Sequence, residues 1–167
     1  MNKKLGIVAY GFPAIGKTTV CKNYDYFLDL ESSNYKWLFT EKQLKMSVEE
    51  RKGLDKQLNP EWPNNYYQAI ENAMLNYDYI FVAYTGIEYC QQHNIKYMRF
   101  FPTLDQKEDY ITRMKTRGNS PQFVEKIAEN YENFITQCKS DNESVRIELL
   151  PGEYLEDCLK RVGIIQH

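Results

Sequence analysis

The chain has 167 residues, and Lys+Arg 21 against Asp+Glu 23 leave a net charge of -2. That suits one domain and excludes a global charge excess directed at nucleic acid or an anionic membrane. Hydrophobic residues at 43% and charged residues at 26% match ordinary globular usage and exclude wholesale disorder. The longest apolar run, Tyr79 to Tyr84, falls far short of the about 18 residues of a membrane span. Met1-Asn2-Lys3-Lys4 is followed by too short an apolar stretch for a signal peptide, so a cytoplasmic protein is expected. Cys21, Cys90, Cys138 and Cys158 are scattered without a CxxC pair, which predicts reduced thiols rather than disulfides or a zinc site.

In chain order, Leu5 to Tyr10 reads as a buried parallel strand ending at Gly11, and Gly16 to Asn23 as a helix. Further strands are expected at Tyr26 to Leu30, Ile80 to Tyr84, Tyr97 to Phe101 and Val145 to Leu150, the last two closed by prolines. Apolar residues at helical spacing mark Tyr66 to Tyr77 and Phe123 to Cys138. Ser47 to Glu50 and Thr103 to Gln106 have the form of capping boxes, and Ser120-Pro121 places proline in a first helical turn. Residues 34 to 65 are polar and aromatic and read as an insertion between the second and third strands. Strands alternating with helices predict a parallel sheet covered on both faces, with ligands beyond the strands' carboxyl ends.

Gly11-Phe-Pro-Ala-Ile-Gly16-Lys17-Thr18 fits the phosphate-binding pattern G-x-x-x-x-G-K-[ST] at every fixed position. Its glycines let the backbone wrap so that successive N–H groups face an anion, and the following helix adds its dipole there. Lysine reaches the β- and γ-phosphates, and the threonine hydroxyl is suited to magnesium. On this motif the chain resembles the P-loop NTPase superfamily, and its layout is similar to small nucleoside and nucleotide kinases. Asp29 to Ser33 and Asn59 to Tyr66 also resemble patterns in small P-loop proteins of low-GC bacteria and their phages. The resemblance implies a three-layer α/β fold with a five-stranded parallel sheet, a helical insertion and a lid at about residues 105 to 122. It implies ATP and magnesium as cofactors, held by Gly11, Pro13, Ala14, Ile15, Gly16, Lys17, Thr18 and Thr19, with Thr18 on the metal.

Arg113 and Arg117 stand at i and i+4, followed by the break Gly118-Asn119-Ser120-Pro121. They suit a lid that clamps a transferring phosphoryl group, and compete with a plain solvated face in which Asp109 pairs with Arg113. Asp29, partly buried at the end of the second strand, is the candidate to orient or deprotonate an acceptor or to hold magnesium through water. Glu31, Ser32, Ser33 and Tyr66 are candidate acceptor contacts; the insertion's aromatics read equally as a packed cover. Arg99 reads as a paired residue. The third strand ends without the acid usual there in P-loop enzymes, which leaves Asp29 as its replacement.

The expected function is ATP- and magnesium-dependent phosphoryl transfer to a small molecule, a nucleoside or nucleotide above all. A sugar or polynucleotide 5′-hydroxyl kinase and a nucleotide-binding regulatory module without transfer are the alternatives. Neither duplex nucleic acid nor a membrane is an expected partner.

Overall fold

The computed structural model describes residues 4–167. Strands β1 (Ile7–Gly11), β2 (Phe27–Asp29), β3 (Tyr79–Phe81), β4 (Tyr97–Pro102) and β5 (Ser144–Leu149) form one all-parallel sheet in the order β2-β3-β1-β4-β5. Helices α1 (Lys17–Asn23), α2 (Ser33–Lys36), α3 (Glu41–Leu44), α4 (Val48–Arg51) and α5 (Asn64–Met74) precede α6 (Tyr84–Gln92). A 3-10 turn over Leu104–Gln106 then leads into α7 (Lys107–Thr116), α8 (Pro121–Ser140) and α9 (Leu155–Arg161).

Alternation along the strands sends apolar side chains to both faces. Ala9, Phe81 and Phe100 pack with Val20, Met114, Ile135 and Leu159 from α1, α7, α8 and α9. Val8, Ile80 and Tyr97 pack on the other face with Ile70 and Ile87 from α5 and α6. The chain is therefore α/β, with helices on both sides of a five-stranded parallel sheet. β1 leads away to β2 on one side while its neighbour β4 leads to β5 on the other, so a crevice opens beyond their carboxyl ends.

Several boundaries differ from the sequence reading. β3 stops at Phe81, and Tyr84 opens α6 instead of ending the strand. Gly86 allows this early turn: a Cβ there would lie 2.7 Å from Val82 Cβ, so α6 can start directly over the strand end only with glycine at that place. Thr103 to Gln106 does not cap a helix; Gln106 Nε2 instead donates to Thr103 Oγ1 at 2.9 Å and to Leu149 O at 2.8 Å, holding a 3-10 turn. Ser47 and Glu50 do form a capping box, and Ser120 caps α8 with Pro121 in its first turn.

Arg99 is paired, as its place on a central strand requires. Its Nε lies 2.6 Å from Asp141 Oδ2, with the two side chains 6% and 8% exposed, and Tyr97 donates its hydroxyl to the same oxygen at 2.7 Å. Burial pushes the Asp141 carboxyl up, but the Tyr97 and Arg99 hydrogen bonds outweigh it and hold the group below its usual value. Asp141→Asn should therefore strand a buried guanidinium and destabilise the fold by about 3–5 kcal/mol in urea denaturation at neutral pH. Because the carboxyl is depressed in the folded state, the difference should shrink as pH falls through that value.

Candidate functional site

The site is built outward from β1, which is paired through its last residue: Gly11 faces Phe100 on β4, and Phe12 N–H donates to Phe100 O at 3.0 Å. The chain then turns sharply, with Ala14 at φ 63° and Gly16 at φ 101° in the left-handed region, before α1 begins at Lys17. A non-glycine residue held there is a strained backbone, retained where the surroundings over-determine it. Left-handed residues in a short loop turn successive N–H groups toward a common side. Phe12 N–H is used by the sheet, Pro13 has none, and Val20 N–H donates to Gly16 O at 3.3 Å, which leaves residues 14 to 19 as donors. Pro13 thus shapes the loop without donating, and Ile15 serves through its backbone while its side chain lies wholly in the core.

Lys17 folds back across the loop, its Nζ donating to Gly11 O at 2.9 Å. A Cβ on Gly11 would lie 2.8 Å from Lys17 Cδ and 2.9 Å from Ile15 Cδ1, so glycine is what lets the lysine stem cross there. Burial pushes the Lys17 ammonium below its usual value; Arg117 acts in the same direction, while Asp29 and Glu31 oppose it. Burial likewise pushes the Asp29 carboxyl up, against the pull of Lys17 and with the help of Glu31. Lys17, Asp29, Glu31 and Arg117 therefore share one electrostatic neighbourhood, although they come from three separate segments of the chain. Thr18 and Thr19 are exposed on the first turn of α1. Cys21, on the same helix, is pushed up to about 12 by burial and then by Asp29, leaving a thiol at neutral pH.

Asp29 arrives beside the loop through the sheet. It is in register with Phe81, and Leu30 N–H donates to Phe81 O at 2.9 Å. No carboxylate follows β3, whose continuation is Val82-Ala83. Glu31 Oε1 accepts from Ser33 N–H at 3.2 Å, so the acid braces the turn into α2, where Ser32 is the N-cap. Tyr66 has no surface for a ligand to stack on. It is fully buried, its hydroxyl donating to Leu30 O at 2.9 Å and accepting from Ala83 N–H at 3.0 Å, and so it fixes the ends of β2 and β3 together.

Arg113 and Arg117 have different places. Arg113 is largely buried: its guanidinium carbon lies 4.5 Å and 4.1 Å from the ring centroids of Tyr110 and Tyr154. One nitrogen lies 2.8 Å from Asp109 Oδ2 and another donates to Glu153 O at 3.1 Å. Arg117 is exposed at the end of α7, with Nε donating to Asn119 Oδ1 at 2.7 Å. Arg113 thus ties α7 to the segment before α9, while Arg117 carries the charge felt by Lys17.

That segment escapes any motif. Leu155 N–H donates to Ile15 O at 2.7 Å, and a Cβ on Gly16 would lie 3.4 Å from Tyr154 Cδ1, so Tyr154 lies beside the loop that follows β1 while half exposed. Only its position beyond the carboxyl end of the fifth strand marked it in the sequence. Two concavities, of about 430 and 620 Å³, lie elsewhere: one against α5 and the outer edge of β2, the other at the amino end of β1. Neither contains a titratable cluster of the kind gathered at Lys17. Compared with known proteins, the chain matches no family model and no curated protein.

The residues fit a magnesium nucleotide. Magnesium keeps several waters and takes one or two protein oxygens besides phosphate. Thr18, exposed on the first turn of α1, and the Asp29 carboxylate are oxygen donors of that kind.

Arg113→Ala should lower stability by about 1–3 kcal/mol, because it removes a largely buried guanidinium with its hydrogen bond to Glu153 O and a stacked packing surface; Arg117→Ala should stay within about 0.5 kcal/mol. Thermal denaturation of the two variants checks this. Asp29→Asn tests the buried acid. A carboxyl raised in the folded state loses stabilising effect as pH climbs through its folded value. The variant should therefore melt at or above wild type at pH 7.5 and lose that advantage by pH 3.5.

Proposed function

We propose that the chain binds a nucleoside triphosphate at the loop Gly11–Thr18 and transfers its γ-phosphoryl group to a small-molecule acceptor, a nucleoside or nucleotide, beside Asp29. The observation that carries this reading is Lys17 lying half-buried across a loop with two left-handed residues, within electrostatic reach of Asp29 and Arg117. Magnesium, held by Thr18 and by Asp29 through water, would neutralise phosphate charge.

The chain's own groups each have a task. N–H donors from Ala14 to Thr19 hold the donor phosphates, which costs no reorganisation because the loop is already bent. Lys17 leaves Gly11 O for phosphate oxygens. Its depressed pKa reflects a charge held out of water, and an anion restores what burial took away. Asp29 accepts the acceptor's hydroxyl proton or orients that hydroxyl. Arg117 stabilises charge spread over the transferring group, and Arg113 positions α7 through Glu153 and Tyr154. Tyr154, half exposed beside Gly16, offers an aromatic edge to the donor base.

The missing acid after β3 favours a second reading, a nucleotide-binding module without transfer, because Asp29 must then serve alone. Wild type and Lys17→Ala separate the two when phosphoryl transfer from ATP to a panel of nucleosides and nucleotides is followed. The kinase reading expects turnover in wild type and a loss of at least a thousandfold in Lys17→Ala, with an unchanged circular-dichroism spectrum. Calorimetric ATP binding with no transfer to any acceptor would sink it and leave the module.

A further inference from the structure

The concavity of about 620 Å³ lies at the amino end of β1, whereas the loop with Lys17 follows that strand's carboxyl end. Leu5 just before β1, Ile7 within it, Met74 and Leu75 at the end of α5, and Ile95 before β4 give it an aliphatic lining. Leu5 is 52% and Leu75 47% exposed, so two large apolar side chains stand open to water beside one cavity. The backbone beneath them is fixed: Gly6 N–H donates to Met74 O at 2.8 Å, and Ile7 N–H donates to Asp78 O at 2.7 Å. A preformed apolar cavity of this size suits a small molecule.

Two opposite charges stand on its wall, Glu71 from α5 and Lys96 beside the start of β4. They lie farther apart than ion-pair distance, and neither meets another opposite charge at that distance among the described residues. Glu71 is nevertheless held in place. The Tyr89 hydroxyl donates to Glu71 Oε1, and the buried Tyr89 ring packs on Tyr67 and His93 with centroid distances of 4.4 and 4.2 Å. One carboxylate oxygen is thereby anchored, while Oε2 has no partner among the described residues. An acid and a cation set apart on an apolar wall match a molecule that carries an ammonium, a carboxylate and an aliphatic group together. A fatty acid would meet Lys96 but bring its charge toward Glu71, and an alkylamine would do the reverse.

We propose that this cavity binds a free aliphatic amino acid, with its ammonium on Glu71, its carboxylate on Lys96 and its side chain on Leu5, Leu75 and Ile95. The site is separate from the proposed phosphoryl-transfer centre and does not rest on that reading. Because the two lie at opposite ends of β1, a bound amino acid and a bound nucleotide can be held at once.

Chemical-shift titration of the isotope-labelled full-length chain tests it with leucine and three probes that each lack one part. Isocaproate lacks the ammonium, isoamylamine the carboxylate, and glycine the side chain. Leucine should move the amides of residues 5–7, 71–75 and 95–96 saturably, and bind about tenfold or more tighter than each of the three. Glu71→Gln, which keeps an acceptor for Tyr89, should remove the advantage over isocaproate, and Lys96→Gln the advantage over isoamylamine. Both positions are exposed, so both variants keep the fold. Leucine should bind equally in Lys17→Ala and in the presence of saturating ATP and magnesium. Absence of a saturable shift with leucine would overturn the site. So would isocaproate or isoamylamine binding as tightly as leucine, which reduces the cavity to an apolar surface with one charge. Displacement of leucine by ATP, or shifts confined to residues 11–18, would place the amino acid at the loop and overturn the proposal as well. Failure of phosphoryl transfer, by contrast, would remove the proposed reaction and leave the leucine titration unchanged.

Discussion

Because β1 is paired on both sides, by β3 through Ile7–Ala9 and by β4 through Val8–Gly11, its backbone groups are consumed within the sheet up to its last residue. The chain can then leave only beyond the carboxyl end, and it must turn at once to start α1 over the same sheet face. That demand produces the loop: left-handed backbone at Ala14 and Gly16, no Cβ at Gly11, and Lys17 folded back over the turn. Central burial of one strand thus creates a place where N–H donors and a half-hidden cation stand close together. The neighbouring elements arrange themselves around it, with α9 anchored to Ile15 and α7 anchored to α9 through Arg113.

The electrostatics of the molecule divide along the same line. Over the sheet and helices, buried charges are neutralised in place, as in the Arg99–Asp141 pair, where burial is tolerated because hydrogen bonds satisfy both partners. At the loop and in the insertion they are not. Lys17 holds a carbonyl, Arg51 holds an amide, and Lys36 and Lys56 rest on Trp37. Cations kept without carboxylates in a chain of net charge -2 are a local arrangement that the global balance conceals. Asp29, whose own burial keeps its carboxyl raised, is the acid that Lys17 feels most strongly.

The absence of an acid after β3 acquires a geometric meaning from the sheet. Asp29 is in register with Phe81, the last residue of β3, so an acid on the neighbouring strand stands level with the strand end where P-loop enzymes usually carry theirs. Tyr66 maintains that level by binding Leu30 and Ala83 at once. Its burial shows why an aromatic at helical spacing in the insertion belongs to the packing, while Trp37, outside that periodic pattern, keeps part of its ring exposed.

The turn between β1 and α1, the five strands, the capping of α8 and the position of the insertion were legible in the amino-acid sequence, because each depends on neighbours within a few residues. Glycine placement sets backbone freedom, alternation sets a buried strand, and Ser120 needs only the N–H groups that follow it. The end of β3 was misread because Val82-Ala83-Tyr84 is locally strand-like, and only the close approach of Gly86 to Val82 turns the chain into α6. The strand order, the electrostatic coupling of Lys17 with Asp29, the separate duties of Arg113 and Arg117 and the place of Tyr154 against Gly16 depend on residues far apart in the chain. No local preference encodes them. They follow from how parallel strands share one core and from which cations the packed structure leaves without an acid.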